Sequence, residues 1–351
     1  MVPFADRSRP RPGTAVALGS GSARGLAHIG ILRVLREAGV PVKAVAGTSI
    51  GSVIGGLWCG AALDTYESLM RGLDRQGVIW FLDPVLPVSG FFGGKRTSHI
   101  LETLLGDRRI ENLPVGFCAI ATDLATGHEV RLRSGGLVAA IKASSSIPGV
   151  FQPQRIGDRW LTDGGAVAPV PVAAAREFGY RHVIAVDLHA ASFPEPTPAE
   201  AAEAAGAETE APPPAPAEPP QDPEAVERAR QLLEQTAGLM DRAGRRLAGR
   251  AVQFWQRLTH RPPDKAPGFA DIVGDTMAFA QLALARLAMQ LDPPDLLLTP
   301  RLPGVGLFDF HRAAEIIAEG ERCAREALDQ GLLDPMIQDG RSRRSRFRSR
   351  A

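Results

Sequence analysis

Short apolar runs alternate with segments of helical periodicity over the first 190 residues of the chain. The apolar runs predict strands at Thr14–Leu18, Val42–Ala46, Gly116–Leu124, Glu129–Leu132, Arg159–Leu161 and His182–Leu188. Helices are predicted between them at Leu26–Ala38, Val53–Ala62, Gly136–Ser144 and Pro169–Phe178. Strands that alternate with helices indicate a largely parallel sheet covered by helices on both faces.

The rest of the chain has a mostly helical pattern after an acidic, proline-rich break. Residues 191–222 hold seven acids and no Lys or Arg, so we expect a disordered linker or insertion there. Beyond it, helices are predicted at Pro223–His260, Phe269–Leu291 and Asp309–Gln330, the last with Asp309 as N-cap, and a late strand returns to the sheet at Asp295–Thr299. The chain is thus divided into a tail (1–13), an α/β portion (14–190), the linker (191–222), a helical region with a returning strand (223–335) and an Arg-rich tail (336–351).

Composition and charge narrow the class of protein without changing this outline. The chain has 351 residues, 44% apolar and 23% charged, as in soluble globular proteins. No apolar run reaches the roughly 18–20 residues of a membrane-spanning helix, and the N-terminus lacks the apolar core of a signal peptide. Cys59, Cys118 and Cys323 predict buried free thiols in a reducing compartment rather than a metal cluster. We therefore expect a cytoplasmic protein.

Gly47-Thr48-Ser49-Ile50-Gly51 is the most informative motif, because this G-x-S-x-G pentapeptide stands between a predicted strand and a predicted helix. A serine on such a tight turn presents its hydroxyl outward, and the glycines let neighbouring backbone pass close by. The following helix also favours negative charge at its start. The pentapeptide therefore predicts a nucleophile at Ser49. The alternative is a small-residue turn that only packs a helix on the sheet.

A second glycine-rich loop, Gly19-Ser20-Gly21-Ser22-Ala23-Arg24-Gly25, follows the first predicted strand. In a parallel sheet with right-handed crossovers, this loop and the pentapeptide lie at the same carboxyl edge. Its backbone N–H groups can then face an oxyanion formed at Ser49, which a serine hydrolase requires. A dinucleotide site is disfavoured, because the second strand ends without the carboxylate that binds ribose, and no Gly-Lys-Ser/Thr marks a P-loop.

The base that would activate Ser49 is less obvious, since none of the seven histidines lies in a loop motif typical of a catalytic triad. His28 falls inside the first predicted helix, where a packed histidine is the ordinary situation. Asp163-Gly164-Gly165 is a better candidate, because it joins a carboxylate to two glycines at a turn after a strand. The alternative is a common Asp-Gly hairpin turn.

Taken together, these motifs resemble the patatin-like phospholipases, and most closely their bacterial neuropathy-target-esterase-like branch. The resemblance rests on the two glycine loops, on Asp163-Gly164-Gly165, on Ala143–Gly149 and on Leu307–Ala313. It covers residues 14–190 and, more weakly, 290–330. It implies a three-layer α/β/α hydrolase fold with a mainly parallel central sheet and a C-terminal helical extension.

The resemblance also implies a catalytic dyad without histidine, metal or cofactor. Ser49 would be the nucleophile and Asp163 its general base, within an elbow bounded by Gly47 and Gly51 and a motif completed by Gly164 and Gly165. The amides of Gly21 and Ser22 would form the oxyanion hole, and the loop support would come from Gly19, Arg24 and Gly25. Arg24 would brace the loop or face a lipid headgroup. Ser20 and Ser22 depart from the family's usual run of glycines.

The implied activity is hydrolysis of lipid acyl esters, of phospholipase A or lysophospholipase type, on phospholipid or lysophospholipid substrates. The alternatives are a soluble carboxylesterase or thioesterase, and a non-catalytic regulatory or membrane-docking module of the same fold. Phe91–Gly94 is interpreted as an apolar lid or as an ordinary packed loop.

Two basic segments raise the question of membrane contact. Asp241–Arg261 carries six arginines against one acid, with Trp255 among its apolar positions. It can lie on an anionic membrane at the inner face, although the pattern slightly favours a helix packed on the sheet. The Arg-rich tail predicts a solubilising end first and anionic lipid binding second. No aromatic interleaving or binding fold supports a nucleic-acid partner.

Overall fold

The computed structural model describes residues 10–82, 94–190, 227–228, 231 and 269–340. Along these ranges the strands form one eight-stranded sheet. They are β1 (Arg11–Leu18), β2 (Val42–Thr48), β3 (Gly116–Asp123), β4 (Glu129–Leu132), β5 (Gln154–Ile156), β6 (Arg159–Asp163), β7 (Tyr180–Val186) and β8 (Leu296–Leu298). The helices are α1 (Ala27–Glu37), α2 (Ile50–Cys59), α3 (Leu63–Arg71), α4 (Arg75–Leu82), α5 (Lys95–Leu105), α6 (Leu137–Ser144), α7 (Val172–Arg176), α8 (Phe269–Leu291) and α9 (Ala313–Asp329).

The centre of the sheet is parallel. β1 pairs in parallel with β2 and β7, β2 with β3, and β7 with β8, whereas β4, β5 and β6 pair antiparallel. Val16 and Leu18 of β1 join a large core with α1, α2 and α9, while Ala15 and Ala17 join a smaller core with α7 and α8. Successive side chains of a strand point to opposite faces, so both faces of the sheet are covered. The predicted three-layer α/β/α fold is confirmed.

The register of β3 determines where the end of β6 lies. β3 pairs with β2 up to the pair Ile120–Thr48, and the next residue, Ala121, pairs with Asp163 of β6. β4 pairs with residues 119–122 of β3. Two of these residues also pair with β2 and two with β6, so β4 must lie along the opposite edge of β3. β6 therefore continues along the edge that β2 leaves. This arrangement brings Asp163 next to the residue that follows Thr48.

The structure shifts several predicted boundaries. α2 begins at Ile50, immediately after Ser49, instead of at Val53. The helix predicted over Pro169–Phe178 is limited to α7, with Pro171 as its N-cap. The late strand is β8, in parallel with β7. Asp309 precedes a 3-10 turn, Phe310–Arg312, and makes no capping hydrogen bond; its carboxylate accepts from the Gly306 amide at 2.9 Å instead.

Residues 63–105 contain α3, α4 and α5, to which the sequence analysis assigned no element. The signal for α3 was present, because Leu63, Tyr66, Leu69 and Met70 follow helical spacing and are all buried. α4 contains a continuous apolar run, Val78–Leu82, and such a run has no periodicity that would distinguish a helix from a strand.

Several predictions concern residues outside the described ranges. They are the linker 191–222, most of the predicted helix Pro223–His260 with its basic segment, Phe91–Gly93, and most of the Arg-rich tail. The division into domains also stays a prediction. In the part of the chain that the structure describes, no helix combines the length and apolarity needed to cross a membrane.

Candidate active site

The turn from β2 to α2 holds Ser49 in an unusual backbone conformation. Its φ of 56° and ψ of −125° are sparsely populated for a residue with a side chain. Crowding requires the flanking glycines: a Cβ on Gly51 would lie 2.1 Å from the Leu18 carbonyl oxygen, and one on Gly47 would lie 2.3 Å from the Gly51 carbonyl oxygen. The elbow therefore packs directly on the end of β1, where the second glycine loop begins.

Ser49 and Asp163 meet at this edge of the sheet. Ser49 Oγ donates to Asp163 Oδ2 at 2.5 Å, and both residues are only 4% exposed. The other carboxylate oxygen, Oδ1, accepts from the Gly165 amide at 2.7 Å. Gly164 is also required sterically, because a Cβ there would lie 2.3 Å from the Ile120 carbonyl oxygen. The hydroxyl and the carboxylate are thus in direct contact, without an intervening imidazole.

The electrostatics of Asp163 suit proton acceptance near neutral pH. Burial raises the pKa of its carboxyl from 3.8 to about 6, and the hydrogen bonds from Ser49 and from the Gly165 amide oppose that rise. An aspartate with its ordinary pKa would be a weaker base. Desolvation therefore gives this carboxylate a higher proton affinity while leaving it ionised at pH 7.

Residues 144–146 hold both members of the pair. Ser144 Oγ accepts from the Ser49 amide at 3.0 Å, and the Ser146 carbonyl accepts from the Asp163 amide at 3.0 Å. These residues belong to the Ala143–Gly149 block noted in the sequence, which had been given no role. The serine-rich composition of this block was the only sign of a role in the sequence. It does not predict the hydrogen bonds that join Ser144 to Ser49, 95 positions away, and Ser146 to Asp163, 17 positions away.

The amides of the Gly19–Gly25 loop differ in whether they have a carbonyl acceptor. The amides of Gly19, Ser20, Ala23 and Arg24 each find a carbonyl acceptor, at 2.8 to 3.2 Å. Within the described residues, the amides of Gly21 and Ser22 have none. Ser22 lines the same pocket as Ser49, and Gly21 precedes it directly in the chain.

The predicted support of this loop has a structural basis at three positions. A Cβ added to Gly19 would lie 2.6 Å from the Val186 carbonyl oxygen, and one added to Gly25 would lie 2.1 Å from a side-chain carbon of Ile50. Arg24 is buried and its Nε donates to the Val305 carbonyl at 2.9 Å. This bond corresponds to the bracing alternative for Arg24.

Histidines near the loop have other partners. His28 Nε2 lies 2.9 Å from the Gly19 carbonyl oxygen, and His189 Nε2 lies 3.2 Å from Ser20 Oγ. Burial lowers the pKa of each to about 4. In the described ranges, no histidine is hydrogen-bonded to Ser49 Oγ, and no group of three or more His, Cys, Asp or Glu side chains could hold a metal ion.

A pocket of about 520 Å³ opens at Ser49. Its walls come from the helices that follow the elbow, from residues 142–154 and from Phe308 and Phe310. The apolar lining consists of Ile50, Val53, Tyr66, Phe81, Leu101, Ile147, Phe151, Phe308 and Phe310. Lys95, Glu102 and Lys142 are the charged lining residues. Such a pocket can take an acyl chain with its ester carbonyl at the serine.

Sequence comparison relates the chain to known proteins. A family model described as patatin-like phospholipase matches residues 16–176. An uncharacterized NTE family protein of Mycobacterium tuberculosis is 32% identical over 345 residues, which cover 93% of this chain and 94% of that protein.

Two animal proteins match a smaller part of the chain. Neuropathy target esterase sws of Drosophila melanogaster is 33% identical over 180 residues, 49% of this chain and 13% of that protein. A patatin-like phospholipase domain-containing protein of Caenorhabditis elegans is 38% identical over 193 residues, 53% of this chain and 14% of that protein. These matches span about half of this chain, whereas the mycobacterial relative matches nearly all of it.

Proposed function

Since the chain belongs to the patatin-like phospholipase family, in its NTE branch, we propose that it is a serine acyl-ester hydrolase acting on phospholipids or lysophospholipids. The proposal assigns Ser49 as nucleophile and Asp163 as general base. Membership of the family supports hydrolysis of lipids in general. The choice of residues and of substrate class goes beyond the family.

The hydrogen bond of 2.5 Å from Ser49 Oγ to Asp163 Oδ2 is the observation that supports the proposal most strongly. A serine needs a base within hydrogen-bond reach before it becomes a useful nucleophile. The strained backbone at Ser49 is a second support, because such strain is concentrated at functional sites. An ordinary hairpin turn at Asp163 would need neither feature.

The reaction follows from this arrangement. Asp163 accepts the Ser49 proton while Oγ attacks the ester carbonyl carbon, and the amides of Gly21 and Ser22 hold the resulting oxyanion. Asp163 then returns the proton to the leaving oxygen, so that the alcohol or lysophospholipid departs. A water molecule, deprotonated by Asp163, attacks the acyl-enzyme; the bond from the acyl carbon to Ser49 Oγ then breaks, Asp163 returns the proton to Oγ, and the fatty acid is released.

We also propose peripheral contact with anionic membrane through the Asp241–Arg261 segment. Its support is the sequence, which places six arginines and Trp255 there against one acid. Binding to anionic vesicles should weaken with salt, since exposed charges are screened over about 10 Å at 0.1 M. The combined variant Arg245→Glu, Arg246→Glu, Trp255→Ala should lose vesicle binding and keep hydrolysis of a soluble ester; unchanged binding would contradict the proposal.

The test of the enzymatic proposal combines a covalent probe with a substrate panel. Purified wild-type protein and the variants Ser49→Ala and Ser134→Ala are treated with a fluorophosphonate, then assayed on phospholipids, lysophospholipids, a short-chain ester and a thioester. We expect labelling and lipid hydrolysis in the wild type and in Ser134→Ala, which alters an exposed serine, and neither in Ser49→Ala.

The panel separates the alternatives. Hydrolysis of the soluble ester or thioester alone would favour a carboxylesterase or thioesterase. Absence of both labelling and turnover in a folded wild-type protein would favour a non-catalytic module. Full activity in a folded Ser49→Ala variant would disprove the nucleophile.

A further inference from the structure

Ser20 stands in the glycine loop at a position where the family resemblance implies a glycine, and its hydroxyl is buried. Its Oγ lies 3.1 Å from Gln281 Oε1 on α8 and 3.2 Å from His189 Nε2, beyond the end of β7. The residue is 2% exposed. A glycine at this position would have neither bond.

The acceptor at Gln281 determines the direction of these hydrogen bonds. An amide oxygen only accepts, so Ser20 must donate its single proton to Gln281. His189 must then donate from Nε2 to Ser20, and its Nδ1 carries the lone pair. Nδ1 is buried and has no hydrogen-bond partner among the described residues, as this tautomer allows. The chain of donors thus runs from His189 through Ser20 to Gln281.

Gln281 also touches the turn that carries Asp163. A Cβ added to Gly165 would lie 2.8 Å from Gln281 Nε2 and 3.0 Å from Asp163 Oδ1. The amide end of Gln281 therefore covers the glycine whose N–H binds the carboxylate. A backbone hydrogen bond joins the same two regions, since the Ser20 amide donates to the carbonyl of Pro169, which follows the Asp163 turn, at 2.8 Å.

We propose that Ser20, His189 and Gln281 are positioning residues that fix the glycine loop relative to the Asp163 turn, and so hold the Gly21 and Ser22 amides at the oxyanion. This inference rests on the proposed function and deepens it. None of the three residues touches the substrate. They act by joining two catalytic loops that lie about 140 residues apart in the sequence.

The expected effect is on the rate of the chemical step. Loss of one whole oxyanion donor lowers kcat by about 10²–10³-fold. Displacement of a loop that still carries its donors should cost less, about 10-fold, for Ser20→Ala and for Gln281→Leu. KM should change less than about twofold, because ground-state binding in the apolar pocket is untouched. Fluorophosphonate labelling should slow in parallel, since its phosphoryl oxygen uses the same donors.

The experiment measures kcat, KM, labelling rate and thermal melting for Ser20→Ala, Gln281→Leu and the double variant. Gln290→Leu is the matched control, because it makes the same change at an exposed position of the same helix. Ser134→Ala is the control for serine. The acidic limb of the pH profile should stay in place, because Ser20 does not bond to the Asp163 carboxylate. A general disturbance of the dyad would move that limb.

The double variant distinguishes a shared network from two separate defects. If both side chains act through one bond, the double variant should be no slower than the slower single variant. Multiplied losses, or single variants with kcat within twofold of wild type, would overturn the inference and leave the proposed function standing. Absence of Ser49-dependent labelling in the wild-type protein would overturn both.

Discussion

The two glycine-rich loops at the carboxyl edge of the sheet are held by different kinds of contact. The Gly47–Gly51 elbow depends most on crowding of backbone against backbone, since a Cβ on Gly51 would lie 2.1 Å from the Leu18 carbonyl oxygen, and the bond from the Ser49 amide to Ser144 Oγ adds to this. The Gly19–Gly25 loop is crowded at Gly19 and Gly25 too, but it also has several hydrogen bonds to distant partners: Val186, Pro169 and Leu307 accept from its amides, and Val305 accepts from Arg24.

This difference predicts how each loop responds to change. A Cβ that meets backbone atoms cannot rotate away from them, so a single substitution displaces the chain. Hydrogen bonds can be removed one at a time, each worth about 0.5–1.5 kcal/mol net. Substitution of a crowded glycine should therefore disrupt either loop abruptly, whereas removal of single hydrogen bonds should weaken the Gly19–Gly25 loop by degrees.

The largest effect is expected at the carboxylate that faces the elbow. Asp163→Asn can still accept from the Gly165 amide and donate to Ser49 Oγ, but it cannot take a proton. We expect kcat to fall by about 10²–10⁴-fold, the usual contribution of a general base. Steady-state kinetics on the preferred ester measures this change.

Replacement of each described histidine provides the comparison for Asp163→Asn. His28→Gln and His189→Gln alter residues that contact the glycine loop, so modest losses are expected from them. A folded histidine variant as slow as Asp163→Asn would replace the dyad by a triad.

The second effect tests crowding in the elbow. Gly51→Ala places a methyl group 2.1 Å from a backbone oxygen, so we expect a loss of about 3 kcal/mol in the free energy of unfolding. Gly127→Ala is the contrasting variant, since its φ of 70° is strained but nothing lies within 4 Å of the added atom. Strain alone should cost about 1–2 kcal/mol. Urea denaturation of both variants measures these free energies of unfolding. Equal losses in the two variants would contradict steric control of the elbow.

The third effect is the dependence on pH. Asp163 must be ionised to accept a proton, so kcat/KM should be constant above its pKa of about 6 and fall about tenfold per pH unit below it. Stability changes in the opposite direction. Because the folded pKa is raised, the buried carboxyl stabilises the fold most when protonated, below pH 3.8, and that contribution is lost as pH rises through about 6.

Asp163→Asn separates these two consequences. It should raise the melting temperature relative to wild type above pH 6, where the desolvated charge is removed, and this gain should vanish near pH 4. His28 and His189, with pKa values near 4, do not titrate between pH 5 and 8. An acidic limb of the kcat/KM profile near pH 4 would contradict Asp163 as the general base. So would an Asp163→Asn variant that is less stable than wild type at pH 8.

The difference between local and long-range contacts also explains which parts of the site the sequence could predict. The elbow is local: a strand, five residues and a helix are adjacent in the chain, so Ser49 and the parallel sheet followed from pattern and motif. Asp163 was ambiguous locally, because Asp-Gly also makes hairpins, and family resemblance rather than geometry selected it.

Long-range partners were beyond reach of local patterns. His189 and Gln281 lie in no motif, and Ser144 lies in a motif whose contacts the sequence does not show, so the fold brings all three to the site. The pocket walls were missed for a different reason. α3 had a readable helical period, but α4 had none.

The smallest effect distinguishes the two roles predicted for Arg24. Its side chain is 8% exposed, and its Nε donates to the Val305 carbonyl at 2.9 Å. Arg24→Lys keeps the charge but loses this directional donor. If Arg24 braces the loop, kcat should fall about three- to tenfold, equally for a neutral short-chain ester and a lysophospholipid, and stability should fall by about 1 kcal/mol. If Arg24 instead contacts a headgroup, KM should rise for the lysophospholipid alone. Arg325→Lys, at an exposed arginine on α9, is the control and should match wild type. Kinetics on the two substrates therefore decide whether this side chain belongs to the loop or to the lipid, and a rise in KM confined to the lysophospholipid would refute bracing.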